Sequence, residues 1–211
     1  MGIRHDWWHE EFIKGDPGAQ MGGGDGREGV PHPTHTWLSG YIPEFSSLLD
    51  VGCCNAHTLE SFNRANKQID YYGVDHLQEL IDFCIERHPE ARFSVSDAAD
   101  LQDFEDESFD YVLSRHVAEH QNHYSQHFME MWRVAKKEVI VVGFLELKDE
   151  FDILQYGVKD NGKFLPHWYN QYSKPQMEAF IKHNMTSDFE WIDDFKDIGH
   201  PVLIIRKPHE S

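Results

Sequence analysis

Residues 47–75 read SLLDVGCCNAHTLESFNRANKQIDYYGVD, and two short apolar runs in this stretch set the architecture. Leu48-Leu49-Asp50-Val51 has the length of a buried strand and ends at Gly52. Tyr71-Tyr72-Gly73-Val74-Asp75 is a second such run, and Thr58 to Asn66 between them has helical composition. Strand, helix and strand in this order imply a right-handed crossover and parallel pairing. Downstream, Leu77, Leu80, Ile81, Cys84 and Ile85 recur at helical spacing before Pro89. Arg92 to Ser96 and Phe109 to Ser114 read as the third and fourth strands, and His123 to Val134 reads as a helix. Glu138 to Phe144 is the most apolar strand, which predicts a central place. Ser173-Lys174-Pro175 then opens a helix with a hydroxyl cap and a proline in its first turn. Two last strands, near Phe189–Phe195 and Val202–Arg206, are separated by a linker too short for a helical crossover. The expected fold is α/β: a three-layer sandwich around a mostly parallel seven-stranded sheet with an antiparallel C-terminal hairpin.

The flanking regions lack this rhythm. Residues 1–45 combine an amphipathic stretch (Trp7, Trp8, Phe12, Ile13) with a glycine-rich segment and a second short helix from Thr34 to Tyr41. They read as a lid segment on a domain spanning 46–211, with Met21 to Gly29 as its hinge. An insertion at about 146–172 carries Phe151, Tyr156, Phe164, His167, Trp168 and Tyr169, a composition suited to the wall of a ligand pocket. The 211 residues hold 37 acidic and 19 basic side chains, a formal charge of −18. That field disfavours nucleic-acid polymers and anionic membranes as partners. The longest aliphatic run, Val139-Ile140-Val141-Val142, is too short to span a bilayer. The acidic start (Asp6, Glu10, Glu11) and three cysteines without disulfide spacing point to the cytoplasm.

In open parallel sheets, ligands bind beyond the carboxyl ends of the strands. Asp50-x-Gly52, Asp75 and Asp97 occupy three successive ends. Any one of them is equally well explained as a loop residue, but three in register are not. Gly52 permits close backbone approach. Asp75 is placed to accept from two ribose hydroxyls, Asp97 from an exocyclic amine, and the Ala98 amide to donate to the adjoining ring nitrogen. Together they describe an adenosine site.

With these residues in place, the chain resembles a class I S-adenosylmethionine-dependent methyltransferase of the small-molecule-modifying type, from about Ser47 to Lys207. LLDVGCCNAHTLESF from Leu48 resembles the family's first motif, and YYGVDHLQELI the second. SDAADLQDFEDESFDYVLSRHVAEH from Ser96 resembles the stretch from the adenine-contacting acid to the substrate-facing loop. MWRVAKKEVIVV and HWYNQYSKPQMEAFIKHN resemble the fifth strand and late helix with their flanks. The resemblance implies a Rossmann-like sheet and S-adenosyl-L-methionine as cofactor. It implies cofactor contacts at Asp50, Gly52, Cys53, Asp75, His76, Asp97, Ala98 and Ser114. It also implies acceptor or lid residues among His32, His35, Trp37, Arg115 and Trp168. The family's alternating glycines fall on Gly52, Cys54 and Ala56, and the two Cβ atoms are expected to resist positive φ.

Methyl transfer from a sulfonium to a small-molecule acceptor is an in-line displacement in which positioning supplies much of the rate. Where the O-, N- or C-nucleophile arrives protonated, a base is required, and His116 and His120 are the candidates, next to Arg115 and Glu119. A metal reading of His116, His120, His123 and His127 is disfavoured, because the resemblance puts 116–120 in a loop and leaves His123 and His127 solvated. Cys53 and Cys54 stand where small residues are needed and read as structural filling. The competing functions are a catalytically silent relative that binds S-adenosylmethionine or adenosine as a sensor or partner subunit, and a nicotinamide-dependent dehydrogenase. The missing glycines and the final antiparallel strand disfavour the dehydrogenase. Sequence leaves the oligomeric state open.

Overall fold

The computed structural model describes residues 32–144, 146–160, 163–192 and 201–208. Seven strands form one sheet: β1 Ser47–Val51, β2 Asp70–Asp75, β3 Arg92–Val95, β4 Phe109–Arg115, β5 Ala135–Val142, β8 Phe189–Ile192 and β9 Val202–Arg206. Their order is β3-β2-β1-β4-β5-β9-β8. The first five pair in parallel, while β9 runs antiparallel to both β5 and β8. The C-terminal hairpin thus slots its second strand against β5 and leaves its first at the edge. The sequence order reverses between β1 and β4, which opens the crevice at the carboxyl ends of those strands. The middle position belongs to β4. The apolar β5 is interior beside it, flanked by β4 and β9.

Strand alternation divides the core in two. Leu49, Val51, Val112, Val139, Val141, Leu203 and Ile205 point to one layer, built from α4 (Tyr124–Val134) and α5 (Lys174–Asn184). Leu48, Leu113, Ile140, Val142 and Ile204 point to the other, built from α1 (Pro33–Tyr41), α2 (His57–Arg64) and α3 (Gln78–Arg87). Each fully buried aliphatic side chain is worth roughly 1.5–3 kcal/mol, so these two faces hold the sandwich closed. The Ser173 hydroxyl caps α5 by accepting from Gln176 N–H, and proline follows in the first turn, as the sequence implied. Among the described residues, no helix is long and apolar enough to cross a membrane.

Two features depart from the sequence reading. Within the insertion, β6 (Tyr156–Asp160) and β7 (Lys163–Trp168) form an antiparallel pair that the reading had not resolved. The intervening dipeptide Asn161-Gly162 favours hairpins and was the available signal. The second is α1, where Leu38 and the following Ile42 are fully buried in the α1–α3 layer. This helix is therefore part of the packed core. The hinge assigned to Met21–Gly29 and the amphipathic stretch at Trp7–Ile13 lie outside the described residues.

Candidate active site

The β1 end builds the first wall. Gly52 has φ +77°, and a Cβ there would overlap the Val117 side chain. Cys54 and Ala56 also take positive φ, +53° and +61°. The expectation that their Cβ atoms would resist this conformation is corrected: the loop keeps a glycine-like path with non-glycine residues. Each such residue costs on the order of 1 kcal/mol or more. The path is held by Gly52 and Cys53 N–H groups donating to Val74 O, and by Cys54 N–H donating to Asp75 Oδ2 at 3.1 Å. Cys53 is buried beside Cys84, and burial pushes its thiol well up, so it fills space as an inert thiol.

Asp75 closes β2 with Oδ1 accepting from Leu77 N–H at 3.1 Å and lying 3.3 Å from His76 Nδ1. Burial works against the charged His76 ring, but Asp75 and Asp97 outweigh it and raise its pKa. Asp97 organises its own turn: its carboxylate accepts from Ala99 N–H and its carbonyl from Asp100 N–H, both at 2.9 Å. The Ala98 amide takes no part in these bonds. Asp50 is buried at the end of β1. It accepts from the Tyr71 hydroxyl at 2.7 Å, and burial lifts its carboxyl to about 6.

Alternation along β4 separates two neighbours. Ser114 faces α4 and is fully buried, with its hydroxyl 2.8 Å from His127 Nε2. His127 Nδ1 lies 2.8 Å from the Ala98 carbonyl. A carbonyl only accepts, so Nδ1 carries the proton and Nε2 accepts from Ser114. The expectation that His127 is solvated is overturned, because the ring is 0% exposed and burial lowers its pKa to about 4. Spacing held the clue: Tyr124, His127, Phe128 and Met131 share one helical face. His123 is likewise not simply solvated. It caps α4 by accepting from Ser125 N–H and pairs with Asp152 at 3.3 Å.

Arg115 points to the opposite layer, the side of Asp50 and α1. Beyond it, His116 takes φ +55° and its ring lies against Gly143, where a Cβ would come within 2.5 Å of Cε1. His116 Nδ1 is 2.9 Å from Glu119 Oε1, and Glu119 is 1% exposed. His120 closes a 3₁₀ turn (Ala118–His120) and its Nδ1 lies 3.0 Å from the Trp168 carbonyl. His116 and His120 therefore do not form one helical stripe; a carboxylate orients the first and a backbone carbonyl the second. The insertion fastens this turn. Asn170 N–H donates to Glu119 O at 2.9 Å, Asn170 Nδ2 to Gln121 O at 2.6 Å, and the Tyr172 hydroxyl to Ala118 O at 2.8 Å. Sequence reasoning had no signal for these long-range ties.

Of the expected lid residues, His32 caps α1 with its ring accepting from Thr34 N–H. His35 is buried, and its pKa is lowered to about 2 by burial first and by Arg115 next. Trp37 stacks on Tyr41 at 4.8 Å. Phe151 and Phe164 of the insertion are exposed, so they do not wall a closed pocket. No cluster of metal-ligating side chains exists among the described residues.

Residues 49–143 match a family model described as a methyltransferase domain. That stretch carries a methyltransferase domain. S-adenosyl-L-methionine is its cofactor, and the domain presents groups that fit it: a positive-φ loop, a strand-end acid and a braced Ala98 turn. No curated protein matches the chain. Among solved structures, the domain's fold is similar to that of the [4+2]-cyclase SpnF, with 15% identity, 93% of this chain and 90% of that one covered, and TM-score 0.63. It is similar to Haemonchus contortus phosphoethanolamine N-methyltransferase 2, solved with phosphomonomethylethanolamine and S-adenosylhomocysteine. That match has 15% identity, 84% and 53% coverage, and TM-score 0.60. It is also similar to a Haloferax volcanii complex of the Trm112 activator with a methyltransferase, at 13% identity, 85% and 92% coverage and TM-score 0.61. At these identities the likeness speaks for the fold alone.

Proposed function

We propose that this chain transfers a methyl group from S-adenosyl-L-methionine to a nucleophilic oxygen, nitrogen or carbon of a small-molecule acceptor, with His116 as general base. The observation that carries this reading is the His116–Glu119 pair at the carboxyl end of β4, beside the Gly52 loop. Glu119 accepts from Nδ1–H, which leaves Nε2 with the lone pair that removes a proton. Gly143 leaves the room that this ring requires.

The bound cofactor supplies an electrophilic methyl group. Asp75 and the Asp97–Ala98 turn would hold the nucleoside, and the β1 loop would take the amino-acid side of it. His116 then holds the acceptor's proton as the new bond forms. The positive φ at Cys54 and Ala56 keeps the loop's path without the glycines, so their replacement does not argue for a silent binding relative. The charge of −18 supports a small acceptor over a nucleic-acid polymer or an anionic membrane. The free cysteines support a cytoplasmic setting.

Calorimetry with S-adenosylmethionine, S-adenosylhomocysteine and NAD tests the cofactor: the first two are expected to bind and NAD is not. Failure of both sulfur ligands to bind would overturn the reading. For the base, labelled methyl transfer to a panel of alcohols, amines and amino acids is compared between wild type and His116→Ala. Turnover is expected to fall about 10²-fold or more with ligand binding intact. An unchanged rate dismisses His116 as the base.

A further inference from the structure

The turn that follows the proposed base is not held by its own segment. Ala118–His120 is a single 3₁₀ turn with no side-chain cap at its start among the described residues. A turn this short leaves its carbonyls in need of donors. The insertion supplies them from about fifty residues away. The Tyr172 hydroxyl donates to Ala118 O at 2.8 Å, Asn170 N–H to Glu119 O at 2.9 Å, and Asn170 Nδ2 to Gln121 O at 2.6 Å. Asn170 Nδ2 also donates to the Tyr172 hydroxyl at 3.0 Å, and its Oδ1 accepts from Gln155 N–H at 2.9 Å. The backbone N–H of Asn170 and both ends of its amide are thus engaged, on a residue 1% exposed. Ala118, Glu119 and Tyr172 are buried with it. On the other side of the turn Val117 packs on Gly52, where a Cβ would lie 2.3 Å from Val117 Cγ2. The turn is clamped between the β1 loop and the insertion.

We infer that Asn170 is a positioning residue for the base: it fixes the backbone of the 118–121 turn and, through that backbone, the Glu119 carboxylate that orients His116. The inference rests on the methyl-transfer reading and deepens it. Glu119 Oε1 lies 2.9 Å from His116 Nδ1, so a rotation of the Glu119 backbone would carry the carboxylate away from the ring. A buried amide with all of its groups engaged is a stiff brace, because any other placement leaves a donor or acceptor unpaired. An aliphatic side chain could fill the same space, but it would leave Gln121 O and Gln155 N–H without these partners. The same segment adds a further tie where His120 Nδ1 donates to the Trp168 carbonyl at 3.0 Å. A misplacement of about 1 Å at a reacting group can cost on the order of 10²-fold in rate. The inner end of the insertion therefore acts on the reaction through the turn it holds.

Three variants test this. Asn170→Asp keeps the acceptor for Gln155 N–H but turns an oxygen toward Gln121 O, Asn170→Ala removes both bonds, and Tyr172→Phe is a milder cut that removes only the hydroxyl. The readouts are S-adenosylhomocysteine affinity by calorimetry, kcat and KM for methyl transfer to the acceptor panel, and the tautomer of the neutral His116 ring by nitrogen-15 NMR, assigned with His116→Gln. The wild-type ring is expected to carry its proton on Nδ1. Both Asn170 variants should lower kcat about tenfold or more, leave S-adenosylhomocysteine affinity nearly unchanged, and let the ring populate both tautomers. Tyr172→Phe should show the same changes at smaller size. Unchanged kcat and tautomer in all three variants overturn the inference. So does an equal loss of S-adenosylhomocysteine affinity, which marks Asn170 as support for the fold at large. A fall in kcat with the tautomer unchanged also overturns it, because the effect then bypasses His116. If wild type binds no S-adenosylhomocysteine and methylates no acceptor, the methyl-transfer reading fails by itself, and the tautomer alone decides whether Asn170 orients the ring. Should thermal melts show the Asn170 variants unfolded, Tyr172→Phe carries the same test.

Discussion

Replacing His127 with glutamine should remove a specific part of the protein's acid sensitivity. The buried ring bridges the Ala98 carbonyl and the Ser114 hydroxyl, each at 2.8 Å. Its folded pKa of about 4 lies below the ordinary 6.5 of a histidine because burial opposes the charge. Above pH 6.5 the ring is neutral in folded and unfolded chains, so its full contribution is present. Between 6.5 and 4 only the unfolded chain takes up the proton, so stability is lost as pH falls. Below 4 both forms are protonated and the loss levels off. Integrated from pH 7.5 to pH 5, this amounts to about 2 kcal/mol. Glutamine does not titrate and retains at most one of the two hydrogen bonds, which costs about 1–2 kcal/mol at pH 7.5. Urea unfolding at both pH values is the assay. The wild-type advantage at pH 7.5 should shrink by about 2 kcal/mol at pH 5, roughly a 1 M change in midpoint difference. Parallel stability curves for the two proteins would refute the assignment of His127 as a buried neutral brace.

Gly143→Ala would place a Cβ 2.5 Å from the His116 ring at a backbone φ of +83°. Methyl transfer should fall by about 10²-fold, the loss expected for a displaced base, while calorimetric S-adenosylhomocysteine affinity changes little. Cys54→Gly relieves a residue held at φ +53°. It should raise the urea midpoint by the equivalent of about 0.5–1 kcal/mol, and a lower midpoint would show that thiol packing outweighs backbone strain. Arg115→Met removes a half-buried charge whose Nε has no hydrogen-bond partner. It should raise the thermal midpoint by a few degrees, equivalent to about 1 kcal/mol. A lower midpoint would mean that the guanidinium is already well satisfied.

Much of the candidate site could be placed from sequence because its residues close strands or open helices. Gly52, Asp75, Asp97 and Ala98 all sit at strand ends that local pattern marks clearly, and the structure places each there. Asp50 read as a contact, yet its side chain turns inward to Tyr71, because a strand residue one position before the end faces whichever layer alternation dictates. His127 was missed when polarity was weighed above spacing. A histidine on the apolar face of a helix can be buried if both ring nitrogens find partners, and those partners lie on β4 and the Asp97 turn. His116 was legible as a candidate base, while the role of Glu119 as its orienting carboxylate needed the sharp turn at φ +55°.

By itself the sequence determined the strand–helix alternation, the parallel sheet with its reversed final strand, and the row of acids at the strand tips. These follow from side-chain periodicity and turn chemistry within a few residues of chain. The tertiary structure decided which of two adjacent residues, Ser114 or Arg115, meets α4 and which meets α1. It also decided that residues some fifty positions apart, such as His120 and Trp168, would meet beyond the carboxyl end of β4. Contacts between distant segments leave no periodic trace in the chain, because they depend on how whole layers pack and not on the preferences of neighbouring residues.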